Sequence, residues 1–441
     1  MPVDDPSSAS PQPLSDPLPH PHAQPAGRRV VVAASWRDHS ITAIAAEAAR
    51  RGELDARYVV DDRFVAGLAL LKGGFRASAR AHAARARERS ARQSAAGDVR
   101  VGRRPELMRV VGAVTDPRTG WELGERRWKT AYDHAVARRL ARRPLGPGDV
   151  VVGMPGSSLR TFATAPAGVV RVFNAIDAHP REHNRVLEEA YGRAAARAEI
   201  YPDALVERIE AELALADHVL VPSRATADGM TRHGVPAEKV RVHPYAVSLA
   251  DFGLTDGEDA PARPDARPRV LFVGQVCHRK GIPSLLEAAR RVPGVDVRLA
   301  GPVFHAHLLA DLPSNVTVLG TLDPVALRAE YRAADAFVLP TLDDTFGFVV
   351  TEAAAAGLPL ILSPHCGARE VVAALPATTT VDPLGADGTG DLAAALHAVV
   401  ALDWDTRLAH ARAFRGLDRP HPDWAHYGAA VLDSVTTGAV R

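Results

Sequence analysis

Two cysteines, Cys277 and Cys366, are all that 441 residues contain. They stand far apart, with neither a disulfide framework nor zinc-type spacing, so the chain is expected in a reducing cytoplasm. It also has no run of about 18 apolar residues, the length a bilayer-crossing helix needs. Met1 to Ala26 is rich in Pro, Ser and His but has no charged segment leading into an apolar one, so residues 1–28 read as a disordered tail and no signal peptide is expected. An excess of one charge is lacking too. The formal net charge of +1 is too close to neutral for bulk electrostatics to bind nucleic acid. Neither a Walker-type phosphate loop nor a Gly-x-Gly-x-x-Gly turn occurs, which argues against a kinase and a dinucleotide dehydrogenase.

The composition is that of an ordinary globular protein, 46% hydrophobic and 24% charged. The length points to two domains of roughly 200 residues each, with a cleft between them. From Arg29 onward, short β-branched runs alternate with amphipathic segments. Strands are expected at Val30–Ala34, Val150–Val152, Val169–Phe173, His218–Val221 and Val240–His243, and helices at His39–Arg51 and Glu182–Arg197. Such α/β alternation predicts a parallel sheet. Leu254–Pro268 is rich in Pro, Asp and Gly without apolar period and reads as a linker. A second α/β run follows, with strands expected at Val270–Val273, Val295–Ala300, Ala336–Leu339 and Leu360–Leu362. The divisions are therefore placed at 29–253, 254–268, 269–405 and a C-terminal helical part over 406–441. Residues 72–109 carry many arginines on an Ala-rich stretch; they fit either a solvated helix face or a surface for anionic lipid or a phosphate-bearing acceptor.

Two local patterns carry chemistry. Val338 to Phe348, followed by a helix holding Glu352 and a stop at Gly357-Leu358-Pro359, reads as strand, loop, helix, stop and strand. Ligands of open α/β sheets bind at the carboxyl edge, where the Asp344 carboxylate can meet sugar hydroxyls and Gly347 lets backbone approach phosphate. Glu352, one turn into the helix, can accept bonds from a ribose diol. Taken singly, Asp344 also suits a helix cap, and Glu352 a locally bonded helix carboxylate. The second pattern, Leu271 to Pro283, is a strand leaving through Gly274 into a basic loop that opens a helix. Arg279 or Lys280, with free helix N–H groups, can neutralise charge on a departing diphosphate; a solvated basic turn is the alternative. Asp403 and Asp405 fit helix caps better than a metal site, and His305 and His307 lack nearby carboxylates in sequence and read as a loop feature.

Together these pieces resemble glycosyltransferase family 4, the retaining enzymes of the GT-B fold. The resemblance runs from about Val169 to the end and rests on Asp344 through Glu352 with Ala353–Pro359, Ala216–Ser223, Gly274–Gly281 and Cys366–Glu370. Asp423–Tyr427 looks like the closing helix that returns to the N-terminal domain. The resemblance implies two Rossmann-like, doubly wound parallel-sheet domains facing a cleft. It also implies a nucleotide diphosphate sugar as donor, with no cofactor and no metal. Asp344 would lie near the transferred sugar, Glu352 would hold the ribose, and Arg279 and Lys280 would grip the diphosphate. Gly274, Gln275, Phe346, Gly347 and Phe348 would line the donor site, and His179 matches a position where relatives often place a cleft-facing His.

Departures are local. Gln275 stands where many relatives carry Arg, Asp344 is one methylene shorter than the commoner Glu, and Tyr245-Ala246-Val247-Ser248 replaces Asn-Gly-Val-Asp. Trp36-Arg37-Asp38-His39 replaces a Gly-rich turn, so the acceptor, whether carbohydrate, lipid-linked or a small molecule, is not implied by the family. The resemblance implies front-face transfer, in which the leaving phosphate takes the acceptor proton. A nucleotide-sugar epimerase or hydrolase of the same fold, and a non-catalytic nucleotide-sugar scaffold, remain as alternatives.

Overall fold

The computed structural model describes residues 27–35, 38–59, 98–101, 120–246, 267–399, 403–417 and 423–436. The N-terminal tail, Trp36-Arg37, Val247-Ser248, most of the linker and all of the basic segment except residues 98–101 lie outside the described residues.

Seven strands form the first sheet: β1 (Val30–Ala34), β2 (Leu54–Val59), β3 (Asp98–Arg100), β4 (Val150–Gly153), β5 (Val170–Asn174), β6 (His218–Val221) and β7 (Val240–Val242), all parallel and ordered 3-2-1-4-5-6-7. Their near-continuous apolar runs are what a parallel sheet buried on both faces requires. Alternate side chains feed two different cores. Val31, Ala33, Val151 and Phe173 point toward Trp128 and Tyr132 of the helix Gly120–Arg142. Val30, Val32, Val150 and Val172 point the other way, toward Ile41 and Ile44 of the helix His39–Arg50 and Val431 and Leu432 of the helix Trp424–Thr436. The last described helix thus closes a face of the first sheet.

The second sheet has six parallel strands: β8 (Arg269–Val273), β9 (Asp296–Ala300), β10 (Val316–Gly320), β11 (Ala336–Leu339), β12 (Leu360–Leu362) and β13 (Thr378–Thr380), ordered 10-9-8-11-12-13. The chain is a GT-B fold: two doubly wound units side by side. In the second unit, connections from β8 run outward to β9 and those on the far side run outward from β11, so the order reverses between β8 and β11. Their paired C-terminal ends mark the switch point at which such sheets bind ligands.

Four strands escaped the sequence reading. Three of them, β3, β10 and β13, are edges, short or half exposed and without a full apolar face. The fourth, β2, is interrupted by Arg57, whose fully buried guanidinium is paired with Asp98 at 3.4 Å and Thr42 at 3.0 Å. The helix expected over 182–197 is broken at Gly192, whose φ of 77° ends Pro180–Tyr191 before Arg193–Ala196 begins.

Candidate active site

Both chemistry-bearing loops leave the sheet at this switch point, one from β8 and one from β11. The first loop ends at Gly281, whose φ of 71° opens the helix Ile282–Arg291. A Cβ at Gly281 would overlap the Pro340 carbonyl oxygen at the end of β11, so a glycine here lets the two loops touch. The Arg279 carbonyl then accepts from Leu342 N at 2.8 Å and Thr341 Oγ1 at 3.1 Å. Gly281→Ala is therefore expected to cost roughly 2 kcal/mol or more, from left-handed strain and the overlap together. Urea unfolding would read this directly; an unchanged midpoint would mean that the loops are free to separate.

The result is a compact charged group. Arg279 Nη1 donates to the Asp343 carbonyl at 2.8 Å, and Nη2 reaches Gln275 Oε1 at 3.4 Å. Lys280 Nζ forms an ion pair with Asp344, both side chains being nearly enclosed at 11% and 12% exposure. Burial works against the Arg279 guanidinium, yet Asp344 and Asp343 outweigh it and hold its pKa above the usual value. Gly347, with φ of 85°, brings backbone beside this pair: a Cβ there would lie 3.3 Å from Asp344 Oδ2. It opens the helix Phe348–Ala355 without a side-chain cap, leaving first-turn N–H groups at the same edge. Glu352 stands about 7 Å further along that helix and accepts from Tyr331 Oη at 2.9 Å. Tyr331 carried no sequence signal, because it sits on a different helix, Pro324–Ala333.

Several expected site residues are placed elsewhere or differently. His179 is 1% exposed and caps the helix Pro180–Tyr191, accepting from Arg181 N at 3.2 Å and stacking on His233 at 4.8 Å. Burial and the neighbouring His233 lower its pKa to about 4. One turn later, His183 is the histidine that reaches the acidic loop, with Nδ1 2.6 Å from Asp343 Oδ2 and Nε2 3.0 Å from the Glu199 carbonyl. Phe346 is 2% exposed and packs with Phe348 against Tyr245, which stacks on Phe348 at 5.1 Å with Trp424 beside it. Both phenylalanine side chains are thus engaged in an aromatic cluster joining the two units. Gly274 follows β8, its N–H bonded to Ala300 O at 2.9 Å.

His183 and Asp343 form a charged link between the units. Burial opposes charge on both, but mutual attraction wins, raising the pKa of His183 and lowering that of Asp343. A raised His contributes stability that is complete below its unfolded pKa, near 6.5, and lost as pH rises through the folded value. A lowered Asp contributes above its unfolded pKa, near 3.8, and loses it as pH falls through the folded value. The link is strongest between these limits. His183→Asn is expected to cost about 2 kcal/mol at pH 6, the difference from wild type shrinking toward pH 9. Denaturant titrations of both proteins across that range test this, and a pH-independent difference would mean His183 is uncharged.

Glu199, from the first unit, accepts from the His278 and Arg279 backbone N–H groups at 2.8 and 2.9 Å; burial opposes its charge, but the His278 side chain first and then these backbone bonds outweigh it and hold its carboxyl down to about 2. His305 Nε2 lies 2.9 Å from the same carboxylate, correcting the expectation that this histidine has no acidic neighbour: the partner is more than a hundred residues earlier in the chain. Asp403 does cap a helix, accepting from Thr406 N at 2.8 Å. Cys277 and Cys366 are buried thiols whose pKa values burial pushes up to about 11 and about 12. Among the described residues no helix is long and apolar enough to cross a membrane.

Against known proteins, residues 257–383 match the family model described as Glycosyl transferases group 1. A GDP-mannose-dependent alpha-mannosyltransferase of Mycolicibacterium smegmatis is 33% identical over 163 residues, 36% of this chain and 42% of that protein. A D-inositol 3-phosphate glycosyltransferase of Mycobacteroides abscessus is 30% identical over 251 residues, 48% of this chain and 56% of that protein. The chain therefore matches about half the length of these relatives. Over the whole fold, the sucrose-phosphate synthase of Thermosynechococcus elongatus superposes with a TM-score of 0.60 at 17% identity, covering 92% of this chain and 98% of that one. The region around both loops is thus similar to glycosyl transferases group 1, within a chain whose two sheets have the GT-B fold.

Proposed function

We propose that the protein is a retaining glycosyltransferase of family 4 type that moves a hexose from a nucleotide diphosphate sugar to a carbohydrate, lipid-linked or small-molecule acceptor. The observation that carries this reading is the meeting of Arg279, Lys280 and Asp344 at the paired ends of β8 and β11, beside an uncapped helix start. Two cations and backbone N–H groups at one point suit a diphosphate, and a carboxylate beside them suits the sugar it carries. The family match across the same residues supports the donor class.

In the proposed step the bond between the sugar anomeric carbon and the donor phosphate oxygen breaks, and a bond to the acceptor hydroxyl forms on the same face. The hydroxyl proton passes to a phosphate oxygen of the departing nucleotide diphosphate, so the step needs neither a protein base nor a metal. Arg279 and Lys280 stabilise the charge on the leaving group, Asp344 orients the hexose and Glu352 holds the ribose. The buried free thiols fit a cytoplasmic enzyme.

A thermal-shift series over nucleotide diphosphate sugars tests the donor assignment. The cognate donor at a hundred times its Kd should stabilise the fold by about 2.7 kcal/mol, with non-cognate nucleotides giving less. Product anomeric configuration by NMR then tests retention. No shift with any nucleotide sugar, or an inverted product, would end this assignment.

A further inference from the structure

We propose that Glu199, His278 and His305 form a binding site for a zinc-like divalent transition metal that staples the two units together beside the basic loop. One ligand atom from each residue lies within 4.8 Å of the other two. Glu199 Oε1 is 3.0 Å from His278 Nδ1 and 2.9 Å from His305 Nε2. Neighbouring ligand atoms around tetrahedral zinc, each about 2.0–2.2 Å from the metal, stand about 3.3 Å apart, so small rotations of these side chains would admit the ion.

Three features separate this group from a chance cluster. The carboxylate is already oriented, since Glu199 accepts one backbone N–H from His278 on Oε1 and one from Arg279 on Oε2. Outer bonds of this kind fix a metal-binding carboxylate in place. The loop bearing His305 is fastened to the loop bearing His278: Val276 bridges Val303, and Phe304 N donates to the Val276 carbonyl at 3.1 Å. Lastly, His305 Nε2 is buried and close to Glu199, yet forms no directed hydrogen bond. His307, exposed on the same turn, has its ring 5.6 Å from that of His278 and 5.5 Å from that of His305.

The donor set selects the metal. Two imidazoles and one carboxylate favour zinc, copper or nickel over magnesium and calcium, which prefer oxygen. Glu199 belongs to the first unit, whereas His278 and His305 belong to the second. A bound ion would tie them together next to Arg279, so its role is structural and separate from the proposed sugar transfer.

The test uses the full chain, stripped with chelator, reloaded with Zn²⁺ and freed of excess by gel filtration. Metal content by mass spectrometry, competition against a chromogenic chelator, and melting with and without Zn²⁺ or Mg²⁺ are measured for wild type, Glu199→Gln and His305→Ala. Wild type is expected to retain one zinc per chain and to melt higher with Zn²⁺ but not with Mg²⁺. Each variant should bind zinc at least tenfold more weakly while keeping the metal-free circular dichroism spectrum. Gln keeps only one of the two acceptor oxygens that hold the loop amides, whereas His305→Ala leaves Glu199 and both bonds intact, so at least one variant should be folded. Wild type that retains no stoichiometric zinc, or folded variants that bind it as tightly, would overturn the site. Neither result depends on transfer activity.

Discussion

Lys280→Ala is expected to lower turnover by about two orders of magnitude while the protein still folds. Lys280 is the cation closest to Asp344, and the nearly enclosed setting of both side chains makes its charge more effective than it would be in water. The substitution leaves the loop's backbone anchors in place, since Leu342 N and Thr341 Oγ1 hold the carbonyl of Arg279, not the ammonium of Lys280. Asp344 also keeps the electrostatic support of Arg279, which limits the stability loss. Both nucleotide diphosphate affinity and kcat should fall, because the same charge meets the diphosphate in the ground state and more strongly in the transition state. Steady-state kinetics of nucleotide release, with melting as the folding control, measure this. Undiminished turnover in a folded variant would remove the basic loop from catalysis.

The loops from β8 and β11 were legible because their signals are local: strand, glycine, charged residue and helix follow one another within a dozen residues. Parallel strands such as β1 and β4 announced themselves through runs of valine that a two-sided burial demands. What the sequence hid was the set of side chains that hold those loops in place. His183 meets Asp343 across 160 residues, Glu199 meets His278 across 79, and Tyr331 meets Glu352 across 21. No period or spacing connects such pairs; the first two exist only once the two units are packed together, and the third only once two helices of the second unit meet. His179 illustrates the consequence, since one helical turn separates it from His183 and only the packed structure tells which of the two reaches the acidic loop. The aromatic cluster around Tyr245 has the same origin. Phe346 and Phe348 lie within the motif proposed for the donor, yet their rings meet Tyr245 and Trp424 from distant segments.

Asp344→Asn separates the sugar from the diphosphate in this site. Asparagine is nearly isosteric, which matters because the carboxylate is nearly enclosed beside Gly347, and it keeps a polar atom near Lys280. One negative charge is removed from beside two cations, so a diphosphate enters a more positive site and nucleotide affinity should hold or rise several-fold. Orientation of the hexose suffers the opposite effect, because an amide accepts weaker bonds from sugar hydroxyls than a carboxylate does. A fall in kcat of about two orders of magnitude, with nucleotide diphosphate Kd unchanged or lower, is the expected pattern. It differs from Lys280→Ala, where affinity and turnover decline together. Calorimetric titration with nucleotide diphosphate, run beside steady-state kinetics, distinguishes the two. If Asp344→Asn lost nucleotide affinity in parallel with kcat, the carboxylate would serve only to position Lys280, and its assignment to the sugar would fail.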